Sequence, residues 1–202
     1  KSSYEILQHT MEATIRTIAK TVEVRDPYTA GHHTRVTLLA VGIANNLELD
    51  EEIIKAVELS SAIHDLGKIQ VPAEILSKPG KLSDIEFSLV KTHPQVAYEL
   101  LKDIDFPWPL ADIIYMHHEK LDGSGYPRGL AGDEIAMESR ILAVADTVEA
   151  MSSHRPYRPA LGMEIALDEI RRTRGYLYDS DVVDACLALF ESGYQLPSAE
   201  MI

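Results

Sequence analysis

Cysteine is nearly absent. Cys186 is the only one among 202 residues, which excludes an internal disulfide and any thiolate cage around a metal. It stands in an apolar helical pattern with Val182, Val183, Ala185, Leu187 and Leu189, the setting of a plain buried thiol. Basic residues are scarce too: 19 Lys and Arg against 32 Asp and Glu give a net charge of −13. That balance argues against partners such as long nucleic acid or anionic membrane, because neutralising phosphates takes local positive charge. It leaves room for a small anionic ligand gripped by a few local cations and metals. No apolar run reaches the ~20 residues of a transmembrane helix, and no signal-peptide pattern opens the chain. These absences predict a cytoplasmic protein with no direct membrane insertion. The chain starts at Lys1 rather than Met, which predicts a piece of a longer protein.

Strand–helix alternation, hairpin signals and internal repeats are missing as well. The apolar periodicity is helical nearly throughout, and the expected class is all-α. Tyr4, Leu7, Met11, Thr14 and Ile18 form a short near-heptad stripe. It reads either as one amphipathic helix packed on its own domain or as the end of a coiled coil from an upstream domain. Asp26-Pro27 and Gly31 interrupt it, and a helix follows to about Asn46. Asp50 reads as the N-cap of the next, with Glu51 and Glu52 in its first turn. Ile53, Ala56, Val57, Ser60 and His64 share one face of that helix, and Gly67 reads as its stop. Further helices are expected over about 83–92, from His93-Pro94 onward, 109–118, 138–152, 162–172 and 179–193, with loops at 72–80 and 120–136. The division follows: residues 1–20 a linker helix, 21–195 one domain, 196–202 a tail.

Histidine is what the chain has in excess, with eight. His64-Asp65 ends an otherwise apolar helix. Adjacent residues on a helix point about 100° apart, so both reach one centre only near a helix end or in a crowded bundle. A buried aspartate there is costly unless paired or metal-bound. Lys68 lies on the same side, at i+3 from Asp65. His117 lies on the apolar face with Ile113 and Ile114, His118 adjoins it, and Asp146 interrupts the apolar helix RILAVADTVEAM. His93 and His32 each open a helix. Singly, each is more often a satisfied structural residue than a ligand. Jointly, His and Asp from five segments, without cysteine, look like an N/O metal site in a helical bundle. Six or seven ligands are too many for one tetrahedral ion, so two metals are expected. His9 and His154 read as structural or exposed, and replacing His33 is expected to change little.

HDLGKI (64–69) and HHEKLDGSGYP (117–127) resemble the HD-GYP domain, a subgroup of the HD-domain metal phosphohydrolases. The resemblance continues through RDPYTAGH (25–32), KTHP (91–94), RILAVAD (140–146) and RPYR (155–158), and covers roughly residues 20 to 195. It implies an HD-domain helical bundle with a glycine-rich GYP loop. It implies a bacterial enzyme that hydrolyses cyclic di-GMP to linear pGpG and on to GMP. The cofactor would be two divalent metal ions, iron or manganese first, with zinc, nickel or magnesium as alternatives.

By match of position, the resemblance makes His32, His64, Asp65, His93, His117, His118 and Asp146 the metal ligands, with Asp65 bridging. Lys68 would face the scissile phosphate, Arg155 and Arg158 would grip the substrate phosphates, and Gly125, Tyr126 and Pro127 would form the signature loop beside the site. Taken alone, Arg155 and Arg158 read equally well as solvated charges. Some relatives carry a glutamate where this chain has Tyr28, and it helps hold a third metal; two metals are therefore expected here. Glu149 stands where many members have aspartate, and no role is read for it. Glu119 is expected to orient one of the neighbouring histidines by accepting a hydrogen bond. The implied partners are an upstream sensory or receiver domain, a homodimer through the N-terminal helix and a GGDEF-type cyclase.

The physical reading agrees with that chemistry. Two metals about 3.5–4 Å apart acidify a bridging water and clamp the attacking and departing oxygens. In-line attack on a phosphodiester then leaves a 5′-phosphate, with Lys68, Arg155 and Arg158 offsetting its charge. Base recognition is not legible, so a hybrid cyclic GMP-AMP dinucleotide stays open as the substrate, and so does a non-catalytic cyclic-dinucleotide binding module.

Overall fold

Helices form almost everywhere the apolar periodicity predicts them. The computed structural model describes residues 3–25, 31–153 and 160–197. α1 runs Ser3–Arg25, α2 His32–Asn46 and α3 Glu51–Ile63. A 3₁₀ turn at Leu66–Gln70 and the single-turn α4 (Ala73–Leu76) lead to α5 (Asp84–Val90), α6 (His93–Leu101) and α7 (Leu110–Met116). A long loop with a second 3₁₀ turn at Gly132–Glu134 precedes α8 (Met137–Ser152), α9 (Met163–Arg172) and α10 (Ser180–Glu191). Among the described residues the only extended pairings are two isolated bridges, Asp122 with Ala131 and Arg174 with Tyr178. The fold is all-α, and no described helix is long and apolar enough to cross a membrane.

Helix starts follow local chemistry. α5 begins at a capping box in which Ser83 and Glu86 satisfy each other's backbone N–H. Asp179 caps α10 by accepting from the N–H groups of Asp181 and Val182. Asp50 holds the N-cap position of α3 but accepts no capping hydrogen bond; Glu51 and Glu52 supply the negative charge its first turn favours.

Two expectations change. In α1 the buried face is Ile15, Ala19 and Val22, with Met11 packed beside them, while Thr14 and Ile18 face solvent. The helix carries two weak apolar stripes, and packing on α3 and the first 3₁₀ turn selects one of them. Gly67 is not the stop of α3, which ends at Ile63. It lies inside the 3₁₀ turn, where a Cβ would sit 1.9 Å from the carbonyl oxygen of His93. Its missing side chain admits α6, not a left-handed turn.

Two apolar clusters make the core. α2, α8, α9 and α10 enclose one around Leu39, Ile43, Ile141, Leu142 and Ile170. α1, α3, α6 and α7 enclose the other around Leu59, Leu110, Ile113 and Ile114. α3 serves both, with Val57 in the first and Ala56, Leu59 and Ile63 in the second. Its C-terminal end therefore emerges between the two clusters, and His64-Asp65 is what emerges.

Candidate metal centre

The candidate ligands come from helix ends, where neighbouring residues escape the rotation that separates them mid-helix. His32 opens α2 and His93 opens α6, while His64 and His117 are the C-caps of α3 and α7. Asp146 comes from within α8. His64 donates its Nδ1–H to the Ser61 carbonyl at 2.7 Å, His93 to Val90 at 2.8 Å and His117 to Ile114 at 2.6 Å. A carbonyl can only accept, so the proton sits on Nδ1 and the lone pair on Nε2. His32 turns its Nδ1 to the buried Glu149 carboxylate and its Nε2 toward the same centre.

Asp65 occupies the middle of that arrangement. Its Oδ2 lies 3.4 Å from His33 Nε2, 3.7 Å from His64 Nε2, 3.8 Å from His32 Nε2 and 2.7 Å from Lys68 Nζ. Its Oδ1 faces His93 Nε2 at 3.6 Å. Asp146 Oδ1 lies 3.4 Å from His32 Nε2 and 3.8 Å from His64 Nε2. On the other side the ligand atoms of His93, His117 and His118 fall within 4.8 Å of one another. The centre thus has two lobes that share Asp65, with His32, His64 and Asp146 in one and His93, His117 and His118 in the other; His117 stands at their border, its ligand atom also within 4.8 Å of those of His64 and Asp146. Lys68 and Asp146 keep 18% and 16% of their side chains exposed, which marks the open face.

These residues fit cations. His93 Nε2 and His117 Nε2 lie 3.3 Å apart, and with both Nδ1 atoms protonated each presents a lone pair to the other. Two buried acceptors held that close repel unless a positive centre shares them. His64 Nε2 is buried with no hydrogen-bond partner, a loss that a coordinated ion repairs. Imidazole nitrogens with carboxylate oxygens and no thiolate suit borderline divalent metals.

Burial also sets the charge states. It pushes His93 down to about 4 and, with His64 and His93 adding repulsion, His117 down to about 3. His64 and His118 are lowered for the same first reason. Burial alone would raise the Asp65 carboxyl, but Lys68, His64 and His33 hold it well below the usual range. Asp146 is lowered likewise, by His64 and His32 against burial. At neutral pH the rings of His64, His93, His117 and His118 are neutral and both carboxylates charged, the forms that ligate.

A pH dependence of stability follows. Between pH 6.5 and about 4 the unfolded chain binds protons at His93 and His117 that the fold excludes, so stability is full above 6.5 and falls on acidification. Asp65 and Asp146 act in the same direction at lower pH. Urea midpoints of chelator-treated protein should drop clearly between pH 7.5 and pH 5; equal midpoints would refute the neutral, buried histidines.

Several residues enter that the sequence left aside. His33 is 4% exposed and packs against Asp65, so it belongs to the cluster. A second histidine pair at a helix end, parallel to 117–118, was the signal for it. Glu149 is fully buried, pairs with His32 Nδ1, and accepts from Arg35 Nε at 2.8 Å. It sets the ring of His32. Glu119 does not orient a histidine: its carboxylate accepts the backbone N–H of Arg128 at 2.7 Å and of Leu130 at 3.0 Å. The chain turns away from α7 at Glu119, so the side chain enters the loop rather than the centre. Gly125 packs directly on this backbone, where a Cβ would sit 2.4 Å from Glu119 Cα. Tyr126 stacks on His118 with centroids 4.7 Å apart. Burial pushes its hydroxyl above the ordinary range, so it stays a neutral ring. His9 is exposed on α1. Tyr28, His154, Arg155 and Arg158 lie outside the described residues.

Known proteins resemble this chain closely. A family model described as HD domain matches residues 16–182. The cyclic di-GMP phosphodiesterase response regulator RpfG of Xanthomonas campestris is 42% identical over 176 residues, covering 86% of this chain and 47% of that protein. The 3′3′-cGAMP-specific phosphodiesterase 3 of Vibrio cholerae is 39% identical over 157 residues, covering 78% of this chain and 34% of that protein. The chain spans less than half the length of either relative. Among solved structures, Bd1817, an HDG"Y"P protein from Bdellovibrio bacteriovorus, superposes with a TM-score of 0.69 over 94% of this chain and 64% of that one. At 16% identity that likeness concerns the fold alone.

Proposed function

The chain belongs to the HD-domain family, in its HD-GYP branch, and from that premise we propose that it hydrolyses cyclic di-GMP to linear pGpG, and on to GMP. The observation that carries this reading is Asp65, whose two oxygens face the two lobes of the histidine cluster. His32, His64, Asp65 and Asp146 would hold one divalent ion, and Asp65, His93, His117 and His118 a second. Such ions supply Lewis acidity toward a phosphoryl oxygen and lower the pKa of nearby water. The N/O donor set suits iron, manganese or zinc, the family resemblance puts iron or manganese first, and Tyr28 in place of a glutamate that some relatives carry favours two ions over three.

The chain's own contribution is orientation and charge. Lys68, at the open face beside Asp65, puts an ammonium where a phosphodiester must approach. Arg155 and Arg158, outside the described residues, would add positive charge if they match the family's phosphate-gripping positions, local relief in a chain of net charge −13. His32, His64, His93 and His117 keep protons on Nδ1, away from the reacting side. A second reading, hydrolysis of 3′3′-cGAMP, is favoured by the relative specific for that dinucleotide. The response-regulator relative supports an upstream receiver domain; a homodimer through α1 and a GGDEF-type cyclase partner belong to the same proposal.

Incubation with cyclic di-GMP and with 3′3′-cGAMP, followed by separation of products, tests it. The expected result is pGpG, then GMP, lost on chelation and restored by Fe²⁺ or Mn²⁺. Full-rate hydrolysis by stripped protein, or none by metal-loaded protein, overturns the reading. A preference for 3′3′-cGAMP moves the substrate assignment.

A further inference from the structure

The histidines of the centre are not all held in the same way. His64, His93 and His117 are each fixed by a hydrogen bond to the carbonyl three residues back, and His32 by Glu149. His118 differs. Among the described residues its ring makes no hydrogen bond, and it lies against Tyr126 with centroids 4.7 Å apart and 26° between the planes. Its other ring neighbours are His117 at 4.0 Å and His93 at 5.0 Å. The χ2 torsion of histidine is broad, so a ligating ring needs something outside itself to aim its nitrogen.

Tyr126 is well built to provide that. Its own N–H donates to the His118 carbonyl at 3.2 Å. The preceding Gly125 has no space for a side chain against Glu119 and Lys120. Glu119, 3% exposed, ties down the far limb of the loop through Arg128 and Leu130. The base of the loop is closed by the Gly132 N–H donating to Leu121 at 3.0 Å. Lys91 Nζ lies over the Tyr126 ring, 5.6 Å from its centroid. Among the described residues these supports of the loop are backbone or buried carboxylate, apart from Lys91.

We propose that Tyr126 is a positioning residue for one lobe of the centre: its ring, clamped through Glu119, aims His118 at the ion shared with His93 and His117. The GYP loop then governs occupancy of that lobe and leaves the lobe of His32, His64 and Asp146 alone. This rests on the metal-centre reading above.

The test is a Mn²⁺ titration of the stripped chain against a competing chelator, with bound metal counted by mass spectrometry. The wild type should take two ions. Tyr126→Leu removes the flat ring but keeps an apolar side chain; it should hold one ion as before and bind the second roughly 10–100-fold more weakly. Tyr126→Phe keeps the ring and should restore both, and His118→Ala should reproduce the leucine result. Tyr126→Leu binding two ions like the wild type overturns the proposal, as does an equal weakening of both. So does failure of Tyr126→Phe to rescue, which would assign the effect to the hydroxyl. A wild type that takes up no ion would instead overturn the metal-centre reading itself, and this proposal with it.

Discussion

Asp65→Asn should abolish hydrolysis, by roughly 10³-fold or more, and cost the centre at least one of its two ions. The substitution keeps the shape and removes the charge. Asp65 faces histidines of both lobes with its two oxygens, Oδ2 toward His32 and His64 and Oδ1 toward His93. An amide can offer one oxygen, and its NH₂ would point a donor at lone pairs meant for a cation. Lewis-acid stabilisation worth several kcal/mol converts to about three decades of rate. The fold should survive, because His64 and His93 keep their backbone hydrogen bonds, and Lys68, partly exposed, can turn to water. Turnover within tenfold of the wild type, measured with metal in excess, would remove Asp65 from the chemistry.

Gly67→Ala should be nearly as damaging from a residue with no side chain. A Cβ there would lie 1.9 Å from the His93 oxygen, 2.7 Å from its carbonyl carbon and 2.8 Å from the Ala97 nitrogen. All three are backbone atoms of α6, so no rotamer change relieves the clash. α6 must retreat from the 3₁₀ turn by about 1 Å, and His93 opens α6. Overpacking of this kind costs about 1–3 kcal/mol, at times more, or several degrees in Tm for a chain of this size. A 1 Å misplacement at a catalytic centre costs roughly 10²-fold in rate. The expected result is a lower melting temperature together with weaker metal retention. A variant that melts and binds metal like the wild type would show that the turn and α6 are not packed this closely.

Much of this was legible in the sequence, for physical reasons that differ by level. Helices follow local periodicity, so α2, α8, α9 and α10 fall within a residue or two of where the apolar spacing puts them. The seven candidate ligands were legible because charged and imidazole groups at apolar or helix-end positions have few cheap explanations, and because the motifs around them resemble a family. Less legible was which apolar stripe of α1 would be buried. Its side chains permit two, and only the placement of α3 decides between Ile15 and Ile18.

The sequence by itself determined the helical class, the donor set without thiolate, and the residues that must converge if their burial is to be compensated. Tertiary structure decided how they are held. His32 meets Glu149 across 117 positions and Arg35 meets it across 114, separations at which no local period carries information. Glu119 was expected to serve a histidine and serves the loop, because the path of the chain after α7 sets where its carboxylate points. Gly67 was expected to end a helix and instead admits another. A residue's type limits which contacts it can satisfy; which neighbour arrives to satisfy them is fixed only when distant segments pack.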